Sequence, residues 1–139
     1  MQISITNNKK RIIVKSEILP AIKGIEIDYN KRIKSLGIVI LSDEDLREIN
    51  IKHLNSDYYT DIITFDYSEK SSEIEGELCI SLDRIMENSK KYKISEKEEM
   101  YRVIIHGILH LSGEDDLNKA QQKRMQGKEN HYLKRICFT

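Results

Sequence analysis

The sequence predicts an α/β fold in which a small mixed sheet of about four strands is covered by about five helices, one of them central and buried. Two observations lead to this fold class. Short β-branched or alternating segments are followed by segments of helical periodicity, first at residues 36–52 and again at residues 76–92. A third helical segment, over residues 95–113, is apolar on nearly all sides after Val103, which is typical of a helix inside a core.

The first half of the chain predicts strands and helices in alternation. Residues 2–6 alternate and residues 12–14 are β-branched, so we expect two short strands around a turn at residues 7–10. Apolar residues at helical spacing predict a helix that begins at Ser16, with Pro20 in its first turn and Gly24 weakening its middle. Residues 36–41 then predict a strand.

Ser42 and the three acidic residues that follow it predict the start of a helix over about residues 43–52. Further along, residues 62–65 predict a strand, the polar residues 68–75 a mobile loop, and the alternating residues 76–81 another strand.

Three helices are expected in the remainder of the chain. Apolar spacing predicts a helix over residues 82–92. Ser95 and Glu98 form a capping box that opens the central helix, which ends at Gly113. The last helix is expected from Leu117 to about residue 136, with Gly127 a weak point inside it.

Composition favours an ordinary soluble globular protein over a membrane or disordered one. The chain has 139 residues, so we expect one domain over residues 1–139, with 39% apolar and 33% charged residues. The start lacks the features of a signal peptide, and two cysteines, Cys79 and Cys137, are too few for a disulfide framework, so a cytoplasmic location is expected. With 23 basic and 23 acidic side chains, any binding of nucleic acid requires a local basic face.

The central helix carries two histidines four residues apart, which is the spacing of metal ligands on one helix face. His106 and His110 have β-carbons about 5 to 6 Å apart if the segment is helical. Gly113 allows the backbone to reverse, so that one of the acidic residues after it returns as a third ligand. Three protein ligands are typical of catalytic zinc. Nickel, manganese and iron also accept these ligand types and stay open.

Metalloprotease chemistry is disfavoured by one residue of this helix. In the His-Glu-x-x-His motif the glutamate after the first histidine is the general base. Gly107 occupies that position here, so the helix supplies no base for peptide hydrolysis. The absence of a side chain at Gly107 also allows another part of the molecule to approach the helix closely between the two histidines.

The segment from His106 to Gly113, followed by Asp115 and one further ligand, resembles the signature of the YbeY family. Residues 60–65, with Asn50 and Asp57 before them, and residues 76–81 are similar to two further segments of that family. The resemblance covers about residues 36–135. It implies His106, His110 and Asp116 as the metal ligands, with Asp116 preferred over its neighbour Asp115 on alignment register alone.

The resemblance implies a metal-dependent endoribonuclease that cleaves single-stranded RNA, and the ligand types favour one zinc ion per chain as the metal. It further implies a role in late 3′-end maturation of 16S ribosomal RNA and in ribosome quality control, with ribosomal RNA and small-subunit proteins as partners. Two departures from the family pattern bear on this expectation. Leu54 stands where the family usually has an arginine implicated in cleavage, and Tyr59 stands in place of a proline.

Leucine cannot stabilise transition-state charge as arginine would, so either another cation takes that role or cleavage is weak. An RNA-binding assembly factor with a structural metal is therefore the alternative function. A small-molecule hydrolase that uses the same site is a third reading, which only the open coordination position supports.

Several other side chains are candidates for contact with RNA. Asp61 is predicted either to cap a turn or to line the cleft, Glu77 to face solvent, and Tyr58, Tyr59 and Tyr67 to stack on bases or to join the core. The candidate basic face consists of basic residues around the end of the helix predicted over residues 82–92 and on the last helix: Lys90, Lys91, Lys93, Lys119, Lys123, Arg124, Lys128, Lys134 and Arg135.

Overall fold

The sheet has four strands in the part of the chain that the structure describes, residues 1–55 and 60–138 of a computed structural model. The strands are β1 (Gln2–Thr6), β2 (Arg32–Leu41), β3 (Ile62–Asp66) and β4 (Glu73–Ser81), in the spatial order β1-β2-β4-β3. β1, β2 and β4 are parallel, and β3 is antiparallel to β4. The sheet is therefore mixed, as expected.

Five helices accompany this sheet within the described residues, and the α/β fold class is confirmed. In chain order they are α1 (Lys15–Asp28), α2 (Asp43–Leu54), α3 (Leu82–Tyr92), α4 (Glu96–Leu111) and α5 (Lys119–Leu133). None of the described helices is long and apolar enough to cross a membrane.

Helix α4 occupies the centre of the packing. It contacts α1, α3 and α5 as well as β3 and β4, and most of its side chains are buried. Ser95 caps its first turn by accepting a hydrogen bond from the Glu98 backbone N–H at 3.0 Å. The buried carboxylate of Glu17 on α1 holds the same end, because Lys97 and Tyr101 both donate hydrogen bonds to it. The position of the histidines is therefore fixed by a helix anchored along its length.

The predicted strand at residues 12–14 is wrong. The side chain of Asn8 donates to the carbonyl of Ile13 at 2.8 Å and accepts from its N–H at 3.3 Å. These bonds use the backbone groups that a ladder needs, and the left-handed conformation of Arg11, with φ of 54°, turns the chain. Ile12 and Ile13 enter the core from a loop instead.

Other boundaries differ because polar residues hide the pattern. β2 begins four residues before the predicted residue 36, since a register shift between Ile33 and Ser35 interrupts the alternation. β4 begins at Glu73 inside the expected loop, because charged Glu73 and Glu75 alternate with the single buried Ile74. α2 extends to Leu54, two residues beyond the expected end. α5 is shorter at both ends than the expected helix from Leu117 to about residue 136, and it continues through Gly127 without a break. Pro20 lies beyond the first turn of α1.

Candidate metal centre

The two histidines of α4 lie on one face of the helix, and their imidazole rings meet. The ring centroids of His106 and His110 are 4.6 Å apart, with an interplanar angle of 76°. Their Nε2 atoms are separated by 3.1 Å. On the neighbouring face of the helix, Gly107 lies against Leu78 and Ile62, where an added Cβ would be 2.7 Å and 2.9 Å from their side-chain carbons. The sheet is thus the part of the molecule that approaches the helix at Gly107.

The turn after α4 brings an acidic side chain back to the histidines. Gly113 has φ of 109°, a conformation that favours glycine, and the chain reverses there as expected. Asp116 Oδ2 then lies 3.4 Å from the Nε2 atoms of both His106 and His110. These three residues form a group that can hold a metal ion. Asp115, the alternative candidate for the third ligand, is exposed.

The spacing of the three atoms matches the chemistry of a tetrahedral ion. For zinc–nitrogen bonds of about 2.0 to 2.1 Å, two corners of a tetrahedron lie about 3.3 to 3.4 Å apart. The three ligand atoms have separations of 3.1, 3.4 and 3.4 Å. Two unprotonated imidazole nitrogens and a carboxylate oxygen that face one another repel, and a cation between them relieves that repulsion. His106, His110 and Asp116 therefore fit a zinc ion in both geometry and ligand chemistry.

Glu129 on α5 fixes the orientation of His106. Its Oε2 atom is 2.6 Å from His106 Nδ1, and its Oε1 atom is 3.3 Å from Arg102 Nη1. Donation of the Nδ1 proton to Glu129 leaves Nε2 of the neutral imidazole free to bind a cation. Burial alone would lower the pKa of His106. The hydrogen bond and charge of Glu129, with smaller contributions from Asp116 and Asp61, outweigh burial and raise it.

Sequence reasoning missed Glu129 and Arg102. Glu129 lies 23 residues from His106 on another helix, so no local spacing connects the two. Arg102 precedes His106 by one helical turn on α4, and this i, i+4 spacing was the signal that could have identified it.

An acidic cavity of about 530 Å³ opens beside His106 and Asp116. Its lining includes Asp61, Glu99, Arg102 and Glu129. Burial raises the pKa of Asp61. Burial, followed by the charge of Asp61, raises the pKa of Glu99 to about 7. Asp61 thus lines the cleft, which is one of the two roles predicted for it from the sequence.

A second cavity, of about 440 Å³, lies against the same metal group, and its two lysines balance the carboxylates of Asp116 and Glu129. Lys119 and Lys123 line it together with His106 and Asp116. Other members of the candidate basic face have intramolecular contacts, such as Arg124, which forms two hydrogen bonds to Glu114 at 2.9 and 3.2 Å. The lysines of α5 nearest the site are therefore the part of the basic face that the structure places beside the metal group.

Comparison with known proteins identifies the family. A family model described as Endoribonuclease YbeY matches residues 2–137. The chain belongs to the YbeY family. Curated relatives named Endoribonuclease YbeY include one from Azobacteroides pseudotrichonymphae, 50% identical over 83% of this chain and 82% of the relative. Another, from Bacteroides fragilis, is 42% identical over 87% of this chain and 86% of its own.

The similarity extends over nearly the whole chain in other relatives. The Endoribonuclease YbeY of Chlorobium phaeobacteroides is 40% identical over 98% of this chain and 95% of the relative. The solution structure of a Thermotoga maritima protein superposes with a TM-score of 0.68 at 23% identity, covering 96% of this chain and 88% of that one. This structural likeness supports the fold.

One of the two residues at which this YbeY-family chain departs from the expected pattern lies on α2. Leu54 is the last residue of α2 and is 49% exposed. Arg102 supplies a guanidinium to the cavity beside His106 even though position 54 carries leucine. Asp57, Tyr58 and Tyr59 lie outside the described residues.

Two of the remaining predicted positions have clear surroundings. Tyr67 is 56% exposed and stacks on Phe65, with ring centroids 6.3 Å apart, so it lies outside the core. Glu77 is half-buried and accepts a hydrogen bond from the Cys79 thiol at 3.7 Å, so it does not simply face solvent.

Proposed function

We propose that this chain is a metal-dependent endoribonuclease specific for single-stranded RNA. The observation that carries the proposal is the group formed by His106, His110 and Asp116, whose ligand atoms are spaced as an ion would require. The names of the relatives supply the reaction class. We further propose that the protein acts as one domain over residues 1–139 in the cytoplasm. Its role there is late 3′-end maturation of 16S ribosomal RNA and ribosome quality control, with small-subunit proteins as partners.

The proposed ion is one zinc per chain, held by His106, His110 and Asp116. Two imidazoles and one carboxylate are a ligand set that zinc accepts while keeping a position open for water or substrate. Nickel, manganese and iron share these ligands, and the metal assay below separates them. A bound zinc would lower the pKa of its water or polarise the scissile phosphate.

The residues around the metal group have distinct tasks in this proposal. Glu129 accepts the Nδ1 proton of His106 and so keeps Nε2 directed at the ion. Arg102 holds Glu129 in place through the opposite carboxylate oxygen. Lys119 and Lys123 line the groove next to the site, where they can neutralise phosphates of the RNA backbone.

The test of the proposal is cleavage of unpaired RNA by the purified full chain in single turnover. We expect the metal-loaded wild type to cleave, and both the chelated wild type and His110→Ala to lose at least about a hundredfold in rate. Circular dichroism verifies that each sample remains folded, because metal removal can unfold a metalloprotein. Equal rates in folded wild type and folded His110→Ala would reject the proposal.

The ligand assignment has its own matched pair of variants. Asp116→Asn should lower zinc affinity by about tenfold or more, while Asp115→Asn, which changes the neighbouring acid, should leave it within about twofold. Metal content by mass spectrometry and competition with a chromogenic chelator measure both. Reversed results would make Asp115 the ligand.

The second candidate function is an RNA-binding ribosome-assembly factor with a structural metal. Leu54, in place of the family arginine, is the observation that favours it. This function requires RNA binding without turnover, so the same single-turnover assay separates the two: binding with no metal-dependent cleavage would support the assembly factor.

A further inference from the structure

The acidic cavity beside the metal group has a lining that does not suit the phosphate backbone of RNA. Five acidic side chains line it, with Arg102 as the arginine among its lining residues: Asp61, Glu98, Glu99, Asp116 and Glu129. Arg102 is already within ion-pair distance of Glu129, at 3.3 Å. An anionic phosphate would be repelled by this lining, whereas an uncharged ligand that donates hydrogen bonds would be attracted.

Glu99 supplies an acceptor that has no donor. The residue is 4% exposed, and its Oε1 atom is buried with no hydrogen-bond partner among the described residues. An unsatisfied buried acceptor destabilises the folded state. A ligand that brought an N–H group into the cavity would relieve this penalty, so the site is complementary to a donor.

Other lining residues suit a planar ring. Tyr92, at the end of α3, is 56% exposed and lines the cavity, and the ammonium of Lys91, an exposed side chain, lies 5.5 Å from the centroid of its ring. An exposed ring at this place can stack on a base. The amide of Asn88 also lines the cavity and forms a side-chain hydrogen bond with Glu99. The volume of about 530 Å³ lies within the range of about 300 to 1,000 Å³ found for small-ligand sites.

The two cavities flank the metal group and share His106, Asp116, Gln126 and Glu129. A strand whose phosphates follow Lys119 and Lys123 in the second cavity would therefore bring one base to the acidic cavity next to the reacting bond. In this arrangement the backbone contacts the two lysines of the second cavity, and the base enters the acidic cavity.

We propose that the acidic cavity is a nucleobase subsite that prefers bases with an exocyclic amino group, with Glu99 as the acceptor and Tyr92 as the stacking ring. The preference disfavours uracil, which presents a carbonyl where cytosine presents its amino group. The inference rests on the proposed function, since it assumes that RNA occupies both cavities.

The test compares cytidine with uridine, which are matched in size and lack a phosphate. Each nucleoside is titrated into the isotopically labelled, zinc-loaded full chain, and NMR shifts of Asn88, Tyr92 and Glu99 report binding. We expect cytidine to bind about tenfold more tightly than uridine. No cleavage is required for this measurement, so it stands apart from the activity assay.

Variants assign the preference to its residue. Glu99→Gln, whose amide can either donate or accept, should bring the cytidine-to-uridine ratio close to one. Glu96→Gln removes the same charge from the same helix at a position that does not line the cavity, and should keep the ratio. Tyr92→Leu should weaken the binding of both nucleosides by about fivefold or more and leave the cytidine-to-uridine affinity ratio unchanged.

Equal shifts with both nucleosides, no shift at the cavity residues, or a ratio that survives Glu99→Gln would overturn the inference. If RNA is cleaved but cytidine has no advantage, only the subsite fails. If cytidine binds preferentially but RNA is not cleaved, the proposed enzymatic function fails and the subsite remains.

Discussion

At the scale of single residues, Glu129 connects the two helices that build the site. One carboxylate oxygen contacts the imidazole of His106 and the other contacts the guanidinium of Arg102. The carboxyl group is nearly buried, so these contacts are shielded from water and stronger than surface pairs. A side chain that binds no metal itself thus determines which nitrogen of His106 is available.

Glu129→Gln should weaken zinc binding by about 10- to 100-fold, because the amide is a poorer acceptor for the His106 N–H and carries no charge. Competition titration with a chromogenic chelator measures the affinity. Glu96→Gln, the same change on α4 away from both cavities, serves as the control. Unchanged affinity in Glu129→Gln would show that Glu129 does not orient the ligand.

Glu99→Gln should make the stability of the protein less dependent on pH. Burial and the charge of Asp61 raise the pKa of Glu99 to about 7 in the folded chain, above its value of about 4.3 in the unfolded chain. Because the raised pKa favours the protonated form, the contribution of Glu99 to stability is complete below about pH 4.3 and is lost as pH rises through 7.

The variant should therefore exceed wild type in free energy of unfolding by about 1 to 2 kcal/mol at pH 8, and by much less at pH 5. Urea denaturation at the two pH values measures this difference. Glu87→Gln, whose side chain is 68% exposed, should show no such trend. A difference in free energy of unfolding between Glu99→Gln and wild type that stays constant with pH would contradict the prediction.

At the scale of elements, the close packing of β3, β4 and α4 positions the histidines. Gly76 of β4 pairs with Asp66 of β3, and Gly107 of α4 lies against Leu78 of β4. Side chains at either glycine would separate the layers. The site therefore depends on two places where the backbone comes close to a neighbouring element.

Two glycine substitutions should have opposite effects on stability. In Gly76→Ala the new Cβ would be 2.6 Å from the Phe65 carbonyl oxygen, which is backbone and cannot yield easily, so we expect a loss of about 2 to 3 kcal/mol. In Gly127→Ala, inside α5, no atom lies within 4 Å, and we expect a gain of about 0.5 to 1 kcal/mol.

Chemical denaturation monitored by circular dichroism measures both free energies. Gly127→Ala is the control for the general effect of adding a methyl group. A stable Gly76→Ala protein would mean that β3 can move away from β4 without loss.

At the scale of the whole molecule, charge is unevenly distributed around the site although the chain has no net charge: the first cavity is acidic, and the lysines lie in the second. The acidic cavity and the lysine-lined cavity meet at His106 and Asp116. Nucleic-acid affinity in such a protein arises from a local surface, so it should be modest and strongly dependent on salt.

The double variant Lys119→Ala, Lys123→Ala should lower the slope of log affinity against log salt by about 1.4, since each phosphate contact to a single strand contributes about 0.7. Fluorescence anisotropy with a labelled single-stranded RNA, under conditions without turnover, measures the slope. Lys70→Ala, next to a separate cavity, should leave it unchanged. An equal slope in the double variant would place the RNA backbone elsewhere.

The sequence by itself determined the fold class, helix α4, and the two histidines with their returning acid. These features are local: helical spacing places residues four apart on one face, a serine cap starts the helix, and Gly113 permits the reversal that returns Asp116. Strand boundaries were less accessible, because a bulge in β2 and glutamates in β4 break the alternation on which such predictions depend.

Only the tertiary structure decided what surrounds those ligands. Glu129 comes from a helix 23 residues away, and Asp61 and Glu99 reach one cavity from separate elements. Their convergence depends on how helices and sheet pack, and no periodicity in the sequence encodes that packing. The same dependence explains the absent strand at residues 12–14, where a side chain of Asn8 took the hydrogen bonds that β propensity would have given to a sheet.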